Sequence, residues 1–333
     1  MKEKVLDYLR IGRVQTFPAD WLLVLTPFLY GRGNLTQAFI LSVLIWFTHA
    51  LSFGHNSLLD ACSKPTIESP YSYDQLDKSK SHHPLIKGSI PLRTAKIIIL
   101  WGLGFLAIAH LVFSYIVAEN FTLTVTFLFL YFVWGTLYNE GLSKESLLAF
   151  LPISLCFTFL AMYGWFLSHE ALNTVGHLYL GYVFCTILFQ ISYSGFKKEL
   201  LIKERSNILV RLGAKVENGV FKPSKARIYG VTIKGLNWLI GLLLLLQNFN
   251  IIRLLCFIVI STFVFVFLIR LTKPREYIRD RELLDMSLEE VATIYLVVPI
   301  LLDFLVAALL MVIGLFYFLI VNRILWKAPF PRV

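Results

Sequence analysis

Asn56 and Asp60 stand four residues apart, one helical turn, at the end of a long apolar run. A polar stretch follows in which Asp74 and Asp77 alternate with Lys78, Lys80, His82, His83 and Lys87. A carboxylate facing inward at the end of a membrane helix is costly unless something satisfies it. A divalent cation does so, and Mg²⁺ prefers one or two carboxylates together with phosphate oxygens and water. The lysines and histidines supply charge-assisted donors for phosphate oxygens. Residue types and spacing therefore predict a site for Mg²⁺ and a phosphorylated lipid at a bilayer surface.

The elements that must hold such a site are apolar helices. Of the 333 residues 57% are hydrophobic and only 16% charged, against roughly 25% charged in a soluble domain. Mean hydropathy is +0.70. Too little polar surface exists to coat a water-soluble globule of this size, and an all-α polytopic membrane bundle is expected. Apolar runs mark about nine transmembrane helices around a central cavity, at about 17–31, 36–60, 93–117, 120–139, 146–168, 174–197, 229–246, 251–271 and 291–322. Residues 1–333 are read as one transmembrane domain with long polar loops at about 61–92 and 198–228. Gln247 to Asn250 predict a tight antiparallel hairpin. Tyr277 to Glu290 predict an amphipathic helix lying at the interface, with Ile278, Leu283, Leu284 and Leu288 on its apolar side. Lys234, near the start of the seventh span, is expected to snorkel to the interface. Asn237 and Asp303 are isolated polar residues within spans, and Asp303 is expected to be a helix-packing partner.

The net charge is +10. The lysines and arginines lie mostly between spans, so topology and anionic headgroups account for them and no nucleic-acid partner is expected. They concentrate at the N-terminus and in the loops after spans two, six and eight. The intervening connections are nearly bare. The positive-inside rule therefore places the N-terminus and these loops in the cytoplasm. Nine spans, an odd number, put the C-terminus on the opposite side, against which Arg323, Lys327 and Arg332 run as a counter-signal. The N-terminus lacks the apolar core and small-residue cleavage site of a signal peptide. Cys62, Cys156, Cys185 and Cys256 show no CxxC spacing and read as unpaired thiols.

The stretch around Asn56 resembles the first aspartate-rich motif of the UbiA superfamily of intramembrane prenyltransferases, Asn-Asp-x-x-Asp-x-x-x-Asp-Lys followed by Arg-Pro-x-x-x-Gly-x-Ile. Asn56 and Asp60 match its Asn and middle Asp, Asp77-Lys78 its last Asp-Lys, and His83-Pro84 through Gly88-Ser89-Ile90 its tail, with His83 in place of Arg. The chain departs from it at Ser57, which removes a potential metal ligand, and by an insertion of roughly Ala61 to Tyr73. Leu137-Tyr138-Asn139 through Lys144 is similar to the family's Tyr-Ser-x-x-Leu-Lys segment, whose Tyr and Lys face the cavity. Ile208 to Gly213 is similar to the run that trails the second aspartate-rich motif. That motif itself has no Asp here, and Glu199 and Glu204 stand as substitutes. Gln190 and Tyr193, three apart on span six, are expected to look into the same cavity.

The resemblance implies transfer of an isoprenoid chain from a prenyl diphosphate to a hydrophobic or aromatic acceptor, either a quinone precursor or a lipid, with Mg²⁺ assisting loss of diphosphate. It assigns Asn56, Asp60, Asp77, Lys144 and Tyr138 to catalysis. Lys78, Lys87, Lys197, Lys198 and Arg205 would hold the diphosphate, and Asp60, Asp77, Asp74, Glu199 and Glu204 the metal. A member that binds prenyl diphosphate without turnover and a terpene-cyclase-like member are the alternatives. A transporter fits less well, because the charges gather at one face rather than at the midplane.

Overall fold

The computed structural model describes residues 2–31, 33–62, 84–85, 88–139, 150–202 and 208–327, the side chains of Lys2, Asp60, 194–202, Arg279, Asp280 and Leu283 excepted. Its α-helices are α1 (Lys2–Ile11), α2 (Phe17–Tyr30), α3 (Leu35–Cys62), α4 (Leu92–Val117), α5 (Phe121–Leu137), α6 (Phe150–Phe166), α7 (Thr174–Ile202), α8 (Ile208–Arg211), α9 (Ala226–Gln247), α10 (Ile251–Thr272), α11 (Arg279–Leu301) and α12 (Phe304–Trp326). A small antiparallel sheet joins β1 (Lys215–Glu217), β2 (Val220–Lys222) and β3 (Arg275–Glu276) in that order, with Val216 opposite Phe221 and Phe221 opposite Arg275.

Among the described residues, six helices are long and apolar enough to cross a membrane, at Leu35–Leu59, Leu92–Val117, Thr174–Tyr193, Ala226–Gln247, Ile251–Thr272 and Phe304–Trp326. α5 and α6 are apolar but shorter. Their outward faces carry large bare hydrophobics such as Trp101 (78% exposed), Tyr115 (79%) and Leu305 (80%), as lipid contact requires. The chain is an integral membrane protein. Helices in lipid gain little from apolar burial and associate by close packing and interhelical hydrogen bonds. Gly164 of α6 shows the first device, since a Cβ there would stand 2.5 Å from the Val24 carbonyl of α2. Thr48, His110 and Tyr163 show the second. His110 is fully buried and joins Thr48 of α3 to Tyr163 of α6, each at 2.8 Å.

The connections gather at two ends. At one, Ser168 bonds the Pro27 carbonyl, Asn120 bonds Phe166 and Glu170, and Tyr30 reaches Asn248. At the other, Ser57 bonds Ile11, Gln190 bonds Glu289, Tyr193 bonds Ala226, and Arg10 bonds the Leu325 carbonyl and lies over the Trp326 ring. The described basic residues Lys215, Lys222, Arg270 and Arg275 lie near this second end.

Among the described residues, α1 and the end of α12 meet at that second end, contrary to the separation expected from an odd span count. The apolar run 291–322 is not one long span. Pro299, which has no N–H, sits in the last turn of α11, and Leu302 and Asp303 are extended. α12 then returns antiparallel to α11, with the Tyr295 hydroxyl donating to the Met311 carbonyl at 2.7 Å. Asp303 is an exposed residue at the hairpin tip rather than a packing partner within a span.

The helix expected to lie along the interface is instead the first half of α11, and its buried face is the acidic one. Glu282, Asp285 and Glu289 are at most 1% exposed, whereas Ile278 is 38% exposed. Each buried acid has a basic partner from a neighbouring segment. Arg275 pairs with Glu282, Arg270 with Asp285 at 2.9 Å and Lys234 with Glu289 at 2.6 Å. This acid repeat is pulled inward by Arg270 and Arg275 from the segment just before α11 and by Lys234 from the more distant α9.

Candidate functional site

A cavity of about 80 Å³ opens where the ends of α3, α5 and α6 meet. α3 presents Ser52, Phe53, His55 and Asn56 to it. α5 presents Tyr131, Phe132 and Thr136, and α6 presents Ile153, Cys156 and Phe157. Past Leu137 the chain is π-helical at Tyr138 and Asn139, the last described residues before 150, and both also line the cavity. Such turns widen a helix and re-aim its side chains, often at functional sites. The Asn139 amide nitrogen lies 3.4 Å from His55 Nδ1 across the mouth. Deeper in, the Tyr131 hydroxyl donates to Ser52 Oγ at 3.3 Å and the Cys156 thiol to the Tyr131 carbonyl at 3.3 Å. The walls are aromatic and the mouth is polar, as suits an apolar chain with a polar head.

Asn56 and Tyr138, expected as site residues from two separate motif segments, are thus brought together. α3 stays helical through Cys62, so the Asp60 position lies one turn beyond Asn56. Ser57 projects elsewhere. It is 1% exposed, and its hydroxyl donates to the Ile11 carbonyl at 3.0 Å. The residue type at that position therefore serves the seat of α1 on α3 and does not alter the cavity. Lys197, Lys198 and Glu199 fall on the last turns of α7, which runs to Ile202, so these residues are helical rather than part of a loop. Asp74, Asp77, Lys78, Lys87, Lys144, Glu204 and Arg205 lie outside the described residues.

Gln190 and Tyr193 do not line this cavity, contrary to expectation. The Gln190 amide donates to Glu289 Oε2 at 2.6 Å. The Tyr193 ring stacks on Phe189 and its hydroxyl donates to the Ala226 carbonyl at 3.0 Å. Gly230 makes room for it, since a Cβ there would stand 2.1 Å from the Tyr193 oxygen. Lys234 does not snorkel. It is 1% exposed, with Nζ 2.6 Å from Glu289 Oε1, 2.9 Å from Thr293 Oγ1 and 4.3 Å from the Phe189 ring centroid. A buried ammonium is tolerable only with such a partner. Asn237, also buried, donates to Tyr182 and Thr186 as a packing hydrogen bond.

Sequence reasoning missed a second polar pair beside the cavity. Asp20 of α2 lies 2.6 Å from His49 of α3, and both are buried. Two residues after Pro18, Asp20 reads as a first-turn acid of its helix, and that was the only signal to hand. Among the described residues no group of three His, Cys, Asp or Glu stands ready to hold a metal.

No family model matches the chain. No curated protein is similar to it by sequence. Solved structures are similar in fold. A UbiA homolog from Aeropyrum pernix K1 superposes with a TM-score of 0.61 at 12% identity, over 92% of this chain and 98% of that one. A digeranylgeranylglyceryl phosphate synthase gives 0.58 at 14% identity, over 89% and 99%. A UbiA homolog from Archaeoglobus fulgidus, bound to GPP and Mg²⁺, gives 0.52 at 15% identity, over 95% and 99%. The chain has the fold of the UbiA homologues along nearly its whole length.

Proposed function

We propose that this chain is a UbiA-type intramembrane prenyltransferase that moves an isoprenoid chain from a prenyl diphosphate to a hydrophobic or aromatic acceptor. The reading is supported by the fold and by the relative whose structure holds GPP and Mg²⁺. The observation that carries it within this molecule is the meeting of Asn56 and Tyr138 at one cavity mouth, above aromatic walls. The positive-inside pattern assigns that end to the cytoplasm.

Diphosphate leaves with several negative charges, and fixed countercharge placed where that charge develops is commonly the largest catalytic contribution. The donor chemistry fits Mg²⁺, with the Asn56 amide and the Asp60 position on successive turns of α3. Asp77, Asp74, Glu199 and Glu204 are the further oxygen donors proposed. When bound, the ion supplies charge neutralisation to the departing diphosphate. Lys78, Lys87, Lys144, Lys197, Lys198 and Arg205 are proposed to hold phosphate oxygens. Phe53, Tyr131, Phe132 and Phe157 offer ring faces to the electron-poor allylic carbon. A polar mouth above an apolar interior orients the donor with its diphosphate outward.

One feature favours a second reading, a protein that binds prenyl diphosphate without turnover. In the second half Glu289 is already matched by Lys234 and Gln190, so it is not free to add to a metal site. The purified protein, incubated with radiolabelled prenyl diphosphates of graded length, Mg²⁺ and a panel of acceptors, decides between the two. Prenylated product that vanishes with chelator is expected, and Asp60→Ala and Asp77→Ala each abolish it while the protein stays inserted. Full activity in both variants sinks the metal-site reading, and tight binding with no product establishes the second.

A further inference from the structure

Prenyl transfer to an O–H or aromatic C–H acceptor leaves a proton to be removed. The allylic C–O bond breaks with its electron pair on the diphosphate. The acceptor's electron pair forms the new bond to carbon, and the acceptor's hydrogen departs as H⁺. Resting on the prenyl-transfer reading, we propose that Asp20, held by His49, takes up that proton.

The pair stands directly behind the cavity wall. Phe53 lines the cavity, and its ring centroid lies 4.5 Å from that of His49. Tyr131, also a lining residue, donates to Ser52 Oγ, three residues after His49 on α3. Asp20 Oδ2 is 2.6 Å from His49 Nδ1, and Asp20 keeps 6% of its side-chain surface accessible against 1% for His49. Both members are buried behind the residues that line the cavity, and the imidazole fixes the carboxylate.

The surroundings of His49 accommodate two states that differ by one proton. Its Nε2 lies 3.1 Å from the Arg13 carbonyl and 3.2 Å from Thr16 Oγ1, and that hydroxyl lies 2.9 Å from the same carbonyl. Without the extra proton, Nδ1–H donates to Asp20 and Nε2 accepts from the Thr16 hydroxyl. With it, either Asp20 is a carboxylic acid beside that ring, or the ring donates from both nitrogens. In the second case Nε2–H goes to the Arg13 carbonyl and the Thr16 hydroxyl turns to that carbonyl too. No buried donor or acceptor of the ring is stranded in either state, so uptake requires only rotation of one hydroxyl. Among the described residues, the ionisable and charged groups around the pair include Tyr131 from α5, Cys156 from α6, Glu290 from α11 and Arg13, whose guanidinium lies over Phe53.

The test uses the full chain in lipid bilayers with geranyl diphosphate, Mg²⁺ and phenols of graded acidity as probe acceptors, following diphosphate release and prenylated product separately. A positioned base contributes about 10²- to 10⁴-fold. Asp20→Asn is expected to bind geranyl diphosphate within about twofold of the parent while losing product formation on that scale. The deficit shrinks as the phenol becomes more acidic, and the rise of rate with pH seen in the parent is absent. An unchanged product rate, or an equal loss for every phenol with the parent's pH profile retained, overturns the proposal and leaves the pair a structural clamp. Should the variant fail to fold, the unmodified protein decides. A rate that follows neither pH nor phenol acidity overturns the proposal. Parent protein that releases no diphosphate and forms no product with any acceptor removes the prenyl-transfer reading itself, and the inference with it.

Discussion

The two halves of the bundle treat buried polarity in opposite ways. Around α3, α5 and α6, polar groups converge on open space, with Asn56, His55, Tyr138 and Asn139 ringing the mouth of a cavity. Around α7, α9 and α11, equally polar groups consume one another. Lys234 meets Glu289 and Thr293, Thr293 and Gln190 both donate to Glu289, and only the Gln190 amide oxygen is left over. The first set lines a cavity that a ligand could enter, whereas the second is packed between helices, where its ion pair serves cohesion. The first half therefore reads as the place of chemistry, and the second as the brace that holds α7, α9 and α11 in position.

The largest way to break the contrast is to uncouple the second set. Glu289→Gln leaves a buried ammonium without its countercharge, and a loss of about 3–5 kcal/mol is expected, read as a lowered unfolding temperature in detergent. Lys234→Met combined with Glu289→Leu removes both charges and recovers most of that loss. Additive losses instead would show that the pair is not a closed unit. In the open half, Asn56→Ala is expected to leave unfolding almost unchanged and to cut prenyl transfer about 10- to 100-fold, the scale of one hydrogen bond to a charged group. A stability loss as large as that of Glu289→Gln would erase the distinction between the halves.

A smaller and sharper test concerns Ser57. Ser57→Ala costs about 0.5–1.5 kcal/mol by removing the bond to Ile11, with transfer unaffected. Ser57→Asp, the residue at that place in the motif this stretch resembles, is expected to weaken the seat of α1 and raise activity not at all. Increased turnover would mean that this position does face the site. The smallest effect lies at the far end. His169 stacks on Trp165 with ring centroids 4.0 Å apart, and burial holds its pKa below the ordinary histidine value of 6.5. The unfolded chain therefore binds the proton more readily. The contribution of His169 is complete above that value and declines as pH falls through it. His169→Gln should remove this part of the acid dependence of unfolding, and an unchanged slope would refute it.

Most helices were legible because long apolar runs leave no other solution in a bilayer. The run 251–271 became Ile251–Thr272, and 93–117 became Leu92–Val117. The hairpin at Gln247 to Asn250 was equally visible, and the Asn250 side chain caps the next helix on the Ile252 amide at 2.8 Å. The turn at Leu302 and Asp303 was not. Two extended residues inside an apolar run barely change its hydropathy, yet they reverse the chain and bring the end of α12 back to α1.

The sequence by itself determined that this is a membrane helix bundle with its basic loops at one end, and it placed Asn56 and Tyr138 among the candidates. Both properties follow from local composition and from motif residues that lie close together in the chain. Tertiary structure alone decided which polar residues face open space and which are neutralised. Nothing near Lys234 in sequence announces Glu289, 55 positions on, and nothing near Asp20 announces His49. The role of a buried charge is set by what the neighbouring helix places within about 3 Å of it, and that neighbour is chosen by packing.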